Sequence, residues 1–150
     1  MNMKSYSFKE EGNFAYARIE GVDGSFKDLA EVCGRIQGMT TDRALILLEK
    51  FKSMELPVLY KRRNKYLGSR RELGGKKGRY PQKAAGIVLK AMKSAISNAK
   101  IKGMDEPYLI VHMCANRKHN YPRLAAKGRR NRQDYETARV EVVLKEKTVK

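Results

Sequence analysis

Two cysteines in 150 residues are too few for a disulfide framework. Cys33 and Cys114 both fall in apolar patterns and read as small buried hydrophobes, which makes a reducing, cytoplasmic setting the expectation. No apolar run approaches membrane-spanning length, and the N-terminus carries no signal-peptide core. Histidine is equally scarce. His112 and Cys114 share a strand face, but no two further ligands stand at a useful spacing for zinc. No Ser or Cys is grouped with a His and an acid in a recognised catalytic arrangement. Gly74–Gly78 is glycine-rich, yet no lysine there is followed by Ser or Thr, so a phosphate loop is excluded. A nuclease would need an acid or histidine near the basic loop described below, and only His119 and Asp134 qualify. No enzyme, cofactor or metal is expected from these residues.

Acids are the other shortage: 16 against 33 bases, a net charge of +17. A chain this basic repels itself until a polyanion neutralises it. The excess is concentrated. Residues 60–79 hold nine bases (Lys61, Arg62, Arg63, Lys65, Arg70, Arg71, Lys76, Lys77 and Arg79) and one acid, a net of +8. Residues 117–132 hold seven bases (Arg117, Lys118, Arg123, Lys127, Arg129, Arg130 and Arg132) and no acid. The other 114 residues carry only +2. A near-neutral body with two basic loops suits a docking protein better than a uniformly basic one.

One domain of this length can bury a substantial core. Met1–Glu11 is polar and reads as loose or locally ordered on a surface. Alternation over Asn13–Ile19 predicts a strand, followed by a turn at Gly21–Gly24. Ser25 caps a helix over Phe26–Gln37, with Asp28 as a weaker capping-box partner and Gly38 as the stop. Thr40 or Thr41 caps a second helix, with Ala44, Leu45, Leu47, Leu48 and Phe51 inward, closing near Met54. Residues 55–79 show neither period and read as a basic insertion loop. Such loops are uncommon unless functional or disordered. Pro81 suits the first position of a long helix that buries Ala84, Ile87, Val88, Ala91, Met92, Ala95, Ile96 and Ala99 and ends at Gly103. Lys83, Lys90 and Lys93 point away. Tyr108–Ala115 and Tyr135–Lys145 are strands. In the second, Ala138, Val140, Val142 and Leu144 face the core, while Arg139, Glu141 and Lys145 face away. The expectation is an α+β fold: a three-stranded antiparallel sheet packed against three helices, with a long protruding basic β-hairpin over residues 114–137.

Cations in loops, with the helices committed to the core, match no DNA-reading helix. Arg and Lys neutralise phosphates and release counterions, and Arg can stack on a base or fork to a phosphate. Structured RNA is therefore the expected partner. Fully extended, the hairpin could reach ~30–40 Å at ~3.3 Å per residue. Its basic flanks surround an uncharged tip, Leu124-Ala125-Ala126. A free-standing RNA-binding protein or RNA chaperone is the alternative within the same class.

Three features resemble a known family, that of the twenty-second protein of the bacterial large ribosomal subunit (seventeenth in eukaryotes), in its archaeal and eukaryotic form. The first is Arg79-Tyr80-Pro81-Gln82-Lys83-Ala84-Ala85 opening the long helix, which continues to Ser97-Asn98-Ala99 and Lys102-Gly103-Met104-Asp105. The second is Gly34-Arg35-Ile36-Gln37-Gly38-Met39 followed by the Ala44-Leu45 helix. The third is Pro122-Arg123 and Gly128-Arg129 before the Val140–Leu144 strand. The 55–79 insertion is similar to one in archaeal and eukaryotic members. The resemblance implies a cytoplasmic ribosomal protein bound to large-subunit rRNA beside other large-subunit proteins. It places the body near the nascent-chain exit and threads the hairpin into rRNA. Tyr121, Pro122, Arg123, Leu124, Ala125 and Ala126 would then line the exit tunnel, where a nascent polypeptide passes. The run Leu124-Ala125-Ala126-Lys127 between the Pro-Arg and Gly-Arg pairs is longer than the family usually has.

Overall fold

The computed structural model describes residues 6–8, 12–129, 131 and 133–147. Arg130 and Arg132 lie outside the described residues, as do 1–5, 9–11 and 148–150. Three helices and a three-stranded antiparallel sheet form an α+β body. The sheet comprises β1 (Phe14–Val22), β6 (Tyr135–Glu146) in the centre, and β5 (Tyr108–Tyr121). α1 (Phe26–Ile36) lies against β5 and β6, and α3 (Gln82–Ile101) against β1 and β6. α2 (Thr41–Lys52) packs chiefly on α3 rather than on the sheet.

Local chemistry explains the elements. Leu29, Val32, Cys33 and Ile36 of α1 recur at helical spacing and are all buried. The Ser25 side chain accepts from the Asp28 N–H at 3.4 Å, so the expected cap forms, loosely. After α1 the chain turns through Gly38 at φ +80°, a conformation that disfavours residues with a side chain. Its N–H donates to the Ile110 carbonyl at 2.9 Å, and the Ile110 N–H returns a bond to Met39 at 3.0 Å, clipping the helix end to β5. In α3 the buried residues include five alanines, Ala84, Ala85, Ala91, Ala95 and Ala99, so the helix can lie close over Ala15 and Ala17 of β1. Asn98 of the helix and Lys102 just past its end also satisfy that edge strand: Asn98 donates to the Tyr16 carbonyl at 2.8 Å and Lys102 to that of Phe14 at 2.6 Å. Pro81 stands one place outside the helix rather than in its first turn; its carbonyl accepts the Ala85 N–H at 2.9 Å.

Two expectations need correcting. Alternation put Glu141 on an open face, yet it is fully buried, and β6 is buried on both sides from Val140 to Leu144. The cover is Tyr6–Phe8. The Tyr6 ring lies 5.2 Å from Tyr16, and Phe8 lies 5.1 Å from Phe14 and 5.7 Å from His112. Ser7 donates its N–H and hydroxyl to Glu141 Oε2 at 3.0 and 2.8 Å. On the other oxygen, Arg139 Nε lies 3.1 Å from Glu141 Oε1, an ion pair without aligned hydrogen-bond geometry. A carboxylate tolerates such burial only when partnered in this way.

The second correction concerns residues 55–79. They hold a second small sheet, ordered β2 (Val58–Leu59), β4 (Lys76–Arg79), β3 (Ser69–Arg70), with a 3-10 turn at Arg71–Leu73. Strands of two to four residues are too short to show a period. Val58 and Tyr60 anchor this unit in the main core. Gly78, paired with Leu59, sits at a close approach: a Cβ there would lie 2.6 Å from the Val58 carbonyl oxygen and 2.4 Å from Leu73 Cδ1.

Candidate nucleic-acid interface

The first basic segment is fixed from beneath. Glu31 of α1, 7% exposed, accepts three successive backbone N–H groups: Lys61 at 3.0 Å, Arg62 at 3.0 Å and Arg63 at 2.8 Å. Three amides converging on an anion form a nest. Beside it the Tyr60 hydroxyl donates to Asp28 at 2.7 Å. Burial, and then this bond to Asp28, push the phenol far above its ordinary range. With the backbone held, the side chains of Lys61, Arg62, Arg63 and Lys65 are exposed, and so are those of Arg71, Lys76, Lys77 and Arg79. Arg70 is half-buried, donating to the Gly78 carbonyl at 3.2 Å with its guanidinium 5.4 Å from the Tyr80 ring centroid. Tyr66 is 99% exposed among these cations, a free aromatic face for stacking.

The second segment begins as a continuation of the sheet. The β5–β6 ladder runs through Asn116↔Arg139 and Arg117↔Ala138 to Tyr121↔Tyr135, where the two tyrosine rings lie 5.8 Å apart. Residues 116–121 therefore carry the paired ladder ~20 Å at ~3.3 Å per residue, short of the fully extended reach. Beyond it the chain closes on itself: Asn131 donates to the Arg123 carbonyl at 2.9 Å, and Ala125 to that of Arg129 at 2.6 Å. Lys127 (φ +61°) and Gly128 (φ +69°) make the turn. The six tip residues Tyr121–Ala126 are all exposed, Leu124 to 74%.

At the root of the arm the cations have carboxylate partners. Arg117 pairs with Glu136 at 3.1 Å. Lys118 pairs with Glu20 of β1, and its hydrogen bond holds that carboxyl below the usual range. Beyond the root this changes. Among the described residues, the ion pairs lie in the body and at the arm's root. Among the described residues, none of the nine cations in 61–79 makes one, nor does Arg123, Lys127 or Arg129. Unpaired surface cations are ready for external phosphates, since binding need not first break an internal pair.

His112, Cys114 and Glu141 lie together, with ligand atoms within 4.8 Å of one another. Residue spacing could not show this, because register alone brings Glu141 opposite Cys114. The Ser7 hydroxyl links the group: it lies 3.0 Å from His112 Nε2 and 3.3 Å from Cys114 Sγ, besides its bond to Glu141. This hydrogen-bonded clasp accounts for all three side chains. Cys33 is fully buried, as expected, and Cys114 only half-buried; burial raises both thiols above their ordinary value. Neither has the thiolate character of a nucleophile. His119 and Asp134 do not form a catalytic pair. The His119 ring lies 6.1 Å from that of Tyr121, while Asp134 accepts from Asn120 at 2.9 Å.

Residues 17–145 match the family described as ribosomal protein L22p/L17e. The chain belongs to that family. The L22p/L17e proteins are structural, non-enzymatic components of the ribosome. Among its relatives, the large ribosomal subunit protein uL22 of Methanocaldococcus jannaschii is 39% identical over 138 residues, covering 88% of this chain and 87% of the relative. That of Methanothrix thermoacetophila is 33% identical over 152 aligned positions, covering 97% and 99%. That of Archaeoglobus fulgidus is 38% identical over 117, covering 75% and 76%. No helix among the described residues is long and apolar enough to cross a membrane.

Of the residues that organise this L22p/L17e surface, sequence patterns missed Glu31, Phe26 and Ser7. Phe26 begins the helical spacing continued by Leu29, Cys33 and Ile36, which by itself marks a core position. The ring is half-buried, with the guanidinium carbons of Arg63 and Arg117 at 4.4 and 4.7 Å from its centroid. The one signal for Glu31 was an acid set between Ala30 and Val32 in a helix followed by a cationic loop.

Proposed function

We propose that this chain is a structural constituent of the large ribosomal subunit that binds large-subunit rRNA through its two basic segments. In this reading Lys61, Arg62, Arg63, Lys65, Arg70, Arg71, Lys76, Lys77 and Arg79 contact rRNA from one side. Arg117, Lys118, Arg123, Lys127, Arg129, Arg130 and Arg132 contact it from the arm. The exposed tip, Tyr121–Ala126, lines the nascent-polypeptide exit tunnel, and the body lies near its exit beside other large-subunit proteins. The setting is the cytoplasmic ribosome, and no cofactor takes part.

The observation that carries this reading is the distribution of ion pairs. Among the described residues, carboxylates balance charge in the body and at the arm's root, while the cations of 61–79 and Arg123, Lys127 and Arg129 have none paired with them. Each phosphate such a cation neutralises releases counterions and favours association. Family membership supplies the assembly in which those phosphates are found. An exposed, uncharged end, Leu124-Ala125-Ala126, on charged flanks fits an arm whose sides bind RNA and whose end does not.

Replacing Arg123, Arg129, Arg130 and Arg132 with Ala tests it. The variant is expected to fold, with helical circular dichroism unchanged, and to be depleted from large subunits on sucrose-gradient sedimentation. Incorporation equal to the parent chain would remove the arm from the binding surface.

A further inference from the structure

The two basic segments meet on α1. Resting on the RNA-binding function proposed above, we infer that Phe26 and Glu31 join them into one RNA-backbone cleft rather than two independent patches. The groove beside Glu31 has a volume of about 540 Å³, and its lining includes Arg35, Lys61, Arg62, Arg63 and Asn116.

Glu31 sets the floor. Its carboxylate fills the nest of the 61–63 amides, an arrangement that elsewhere captures an outside anion. Here the anion is internal, so the backbone is held and the three side chains are directed outward. Phe26 sets the spacing. Arg63 from the first segment and Arg117 from the arm both lie against its ring. A guanidinium on an aromatic face keeps its in-plane N–H groups available to donate; Arg117 directs one nitrogen to Glu136 at 3.1 Å and has its others left over. Both guanidiniums approach the same centroid, so they are at most about 9 Å apart, within the ~10 Å Debye length at 0.1 M salt. Two like charges held that close repel each other unless a shared anion lies between them. Glu136 answers Arg117 alone, and no described carboxylate pairs with Arg63. A single bent stretch of phosphodiester backbone supplies the missing charge to both segments.

Two consequences separate this cleft from simple charge attraction. First, removing an acid from a polyanion binder should tighten binding if only net charge matters. Glu31→Gln is expected instead to weaken binding, because the 61–63 backbone is released, whereas Glu72→Gln, an exposed acid in the same segment, tightens it slightly. Second, Arg63→Ala and Arg117→Ala should be non-additive. If each alone costs ~10-fold, the pair costs well under the 100-fold product, because loss of either opens the shared site. In a Phe26→Leu background, which keeps an apolar side chain but removes the ring, the two effects become independent.

The experiment is filter binding of the full chain to an in vitro transcript of Methanocaldococcus jannaschii large-subunit rRNA at fixed 0.15 M salt, with thermal melts on every variant. Weaker binding by Glu31→Gln, with coupling between Arg63 and Arg117 that Phe26→Leu abolishes, is the expected result. Tightening by Glu31→Gln to match Glu72→Gln, or strict additivity of the arginine pair, would overturn the cleft while leaving RNA binding intact. Should Glu31→Gln fail to fold, the arginine cycle decides alone, since both arginines are exposed. A parent chain that does not bind the transcript would overturn the RNA-binding function and the cleft with it.

Discussion

Glu141 offers a direct test of how the outer face of the sheet is closed. Its carboxylate is fully buried and depends on Ser7, which sits 134 residues away in sequence. Ser7→Ala removes the hydroxyl that donates to Oε2 at 2.8 Å and links His112 and Cys114, but leaves the backbone N–H bond at 3.0 Å. A hydrogen bond to a charged group contributes ~1.5–3 kcal/mol. Since one donor to the same oxygen survives and Ser7 itself is accessible to water, the loss should fall near the lower end, about 1–2 kcal/mol. For a chain of this size each kcal/mol moves the midpoint by ~2–4 °C, so Tm should drop by roughly 5 °C. The assay is thermal unfolding by circular dichroism of the isolated protein in 0.3 M salt, which damps repulsion among the excess cations. Ser53→Ala is the control: its hydroxyl contacts only exposed groups, Glu55 at 2.8 Å and the Lys50 carbonyl at 3.2 Å. Equal melting of the two variants would refute the reasoning, because Glu141 would then not rely on the Tyr6–Phe8 segment.

Two other perturbations probe the small sheet and its anchor. Gly78→Ala places a methyl group 2.6 Å from the Val58 carbonyl oxygen, a backbone contact that cannot swing aside. It should cost ~1–3 kcal/mol and speed amide exchange across β2–β4, read by hydrogen exchange; unchanged exchange would contradict the pairing. Tyr60 keeps its proton in the folded state at pH values where the unfolded phenol, near pH 10, has lost it. Stability from this group is thus complete below pH 10 and falls as pH rises above it. Tyr60→Phe should flatten that alkaline decline in denaturant midpoints measured from pH 9 to 11.

The parts of this fold legible in the sequence are those that repeat. α3 announces itself through twenty residues of helical periodicity, and β5 and β6 through alternation on either side of a basic run. The cation clusters are legible too, because charge density needs no structure to be counted. The rest depends on contacts between distant residues. Nothing local marks Glu141 as buried; the residues that cover it, Tyr6–Phe8, lie near the far end of the chain. Strands β2, β3 and β4 are too short to carry a period and are defined by pairing. Glu31 reads as an ordinary helical acid until the fold brings the 61–63 amides onto it. Phe26 reads as core until Arg63 and Arg117 come to its face. Sequence thus located the concentrated charge, and the tertiary contacts show what holds that charge in place.

The central claim is that the two basic segments, chiefly through their unpaired loop cations, bind rRNA, rather than basic charge in general. It is tested most directly by the salt dependence of binding to a large-subunit rRNA transcript. Each phosphate contact contributes ~0.7–0.9 to the slope of log K against log salt. Replacing Lys61, Arg62, Lys65 and Arg71 with Ala should lower the slope's magnitude by about 3. Replacing Lys83 and Lys100, which are paired with Asp23 and Glu106, should change it far less per residue removed. Equal changes per cation in the two variants would contradict the account.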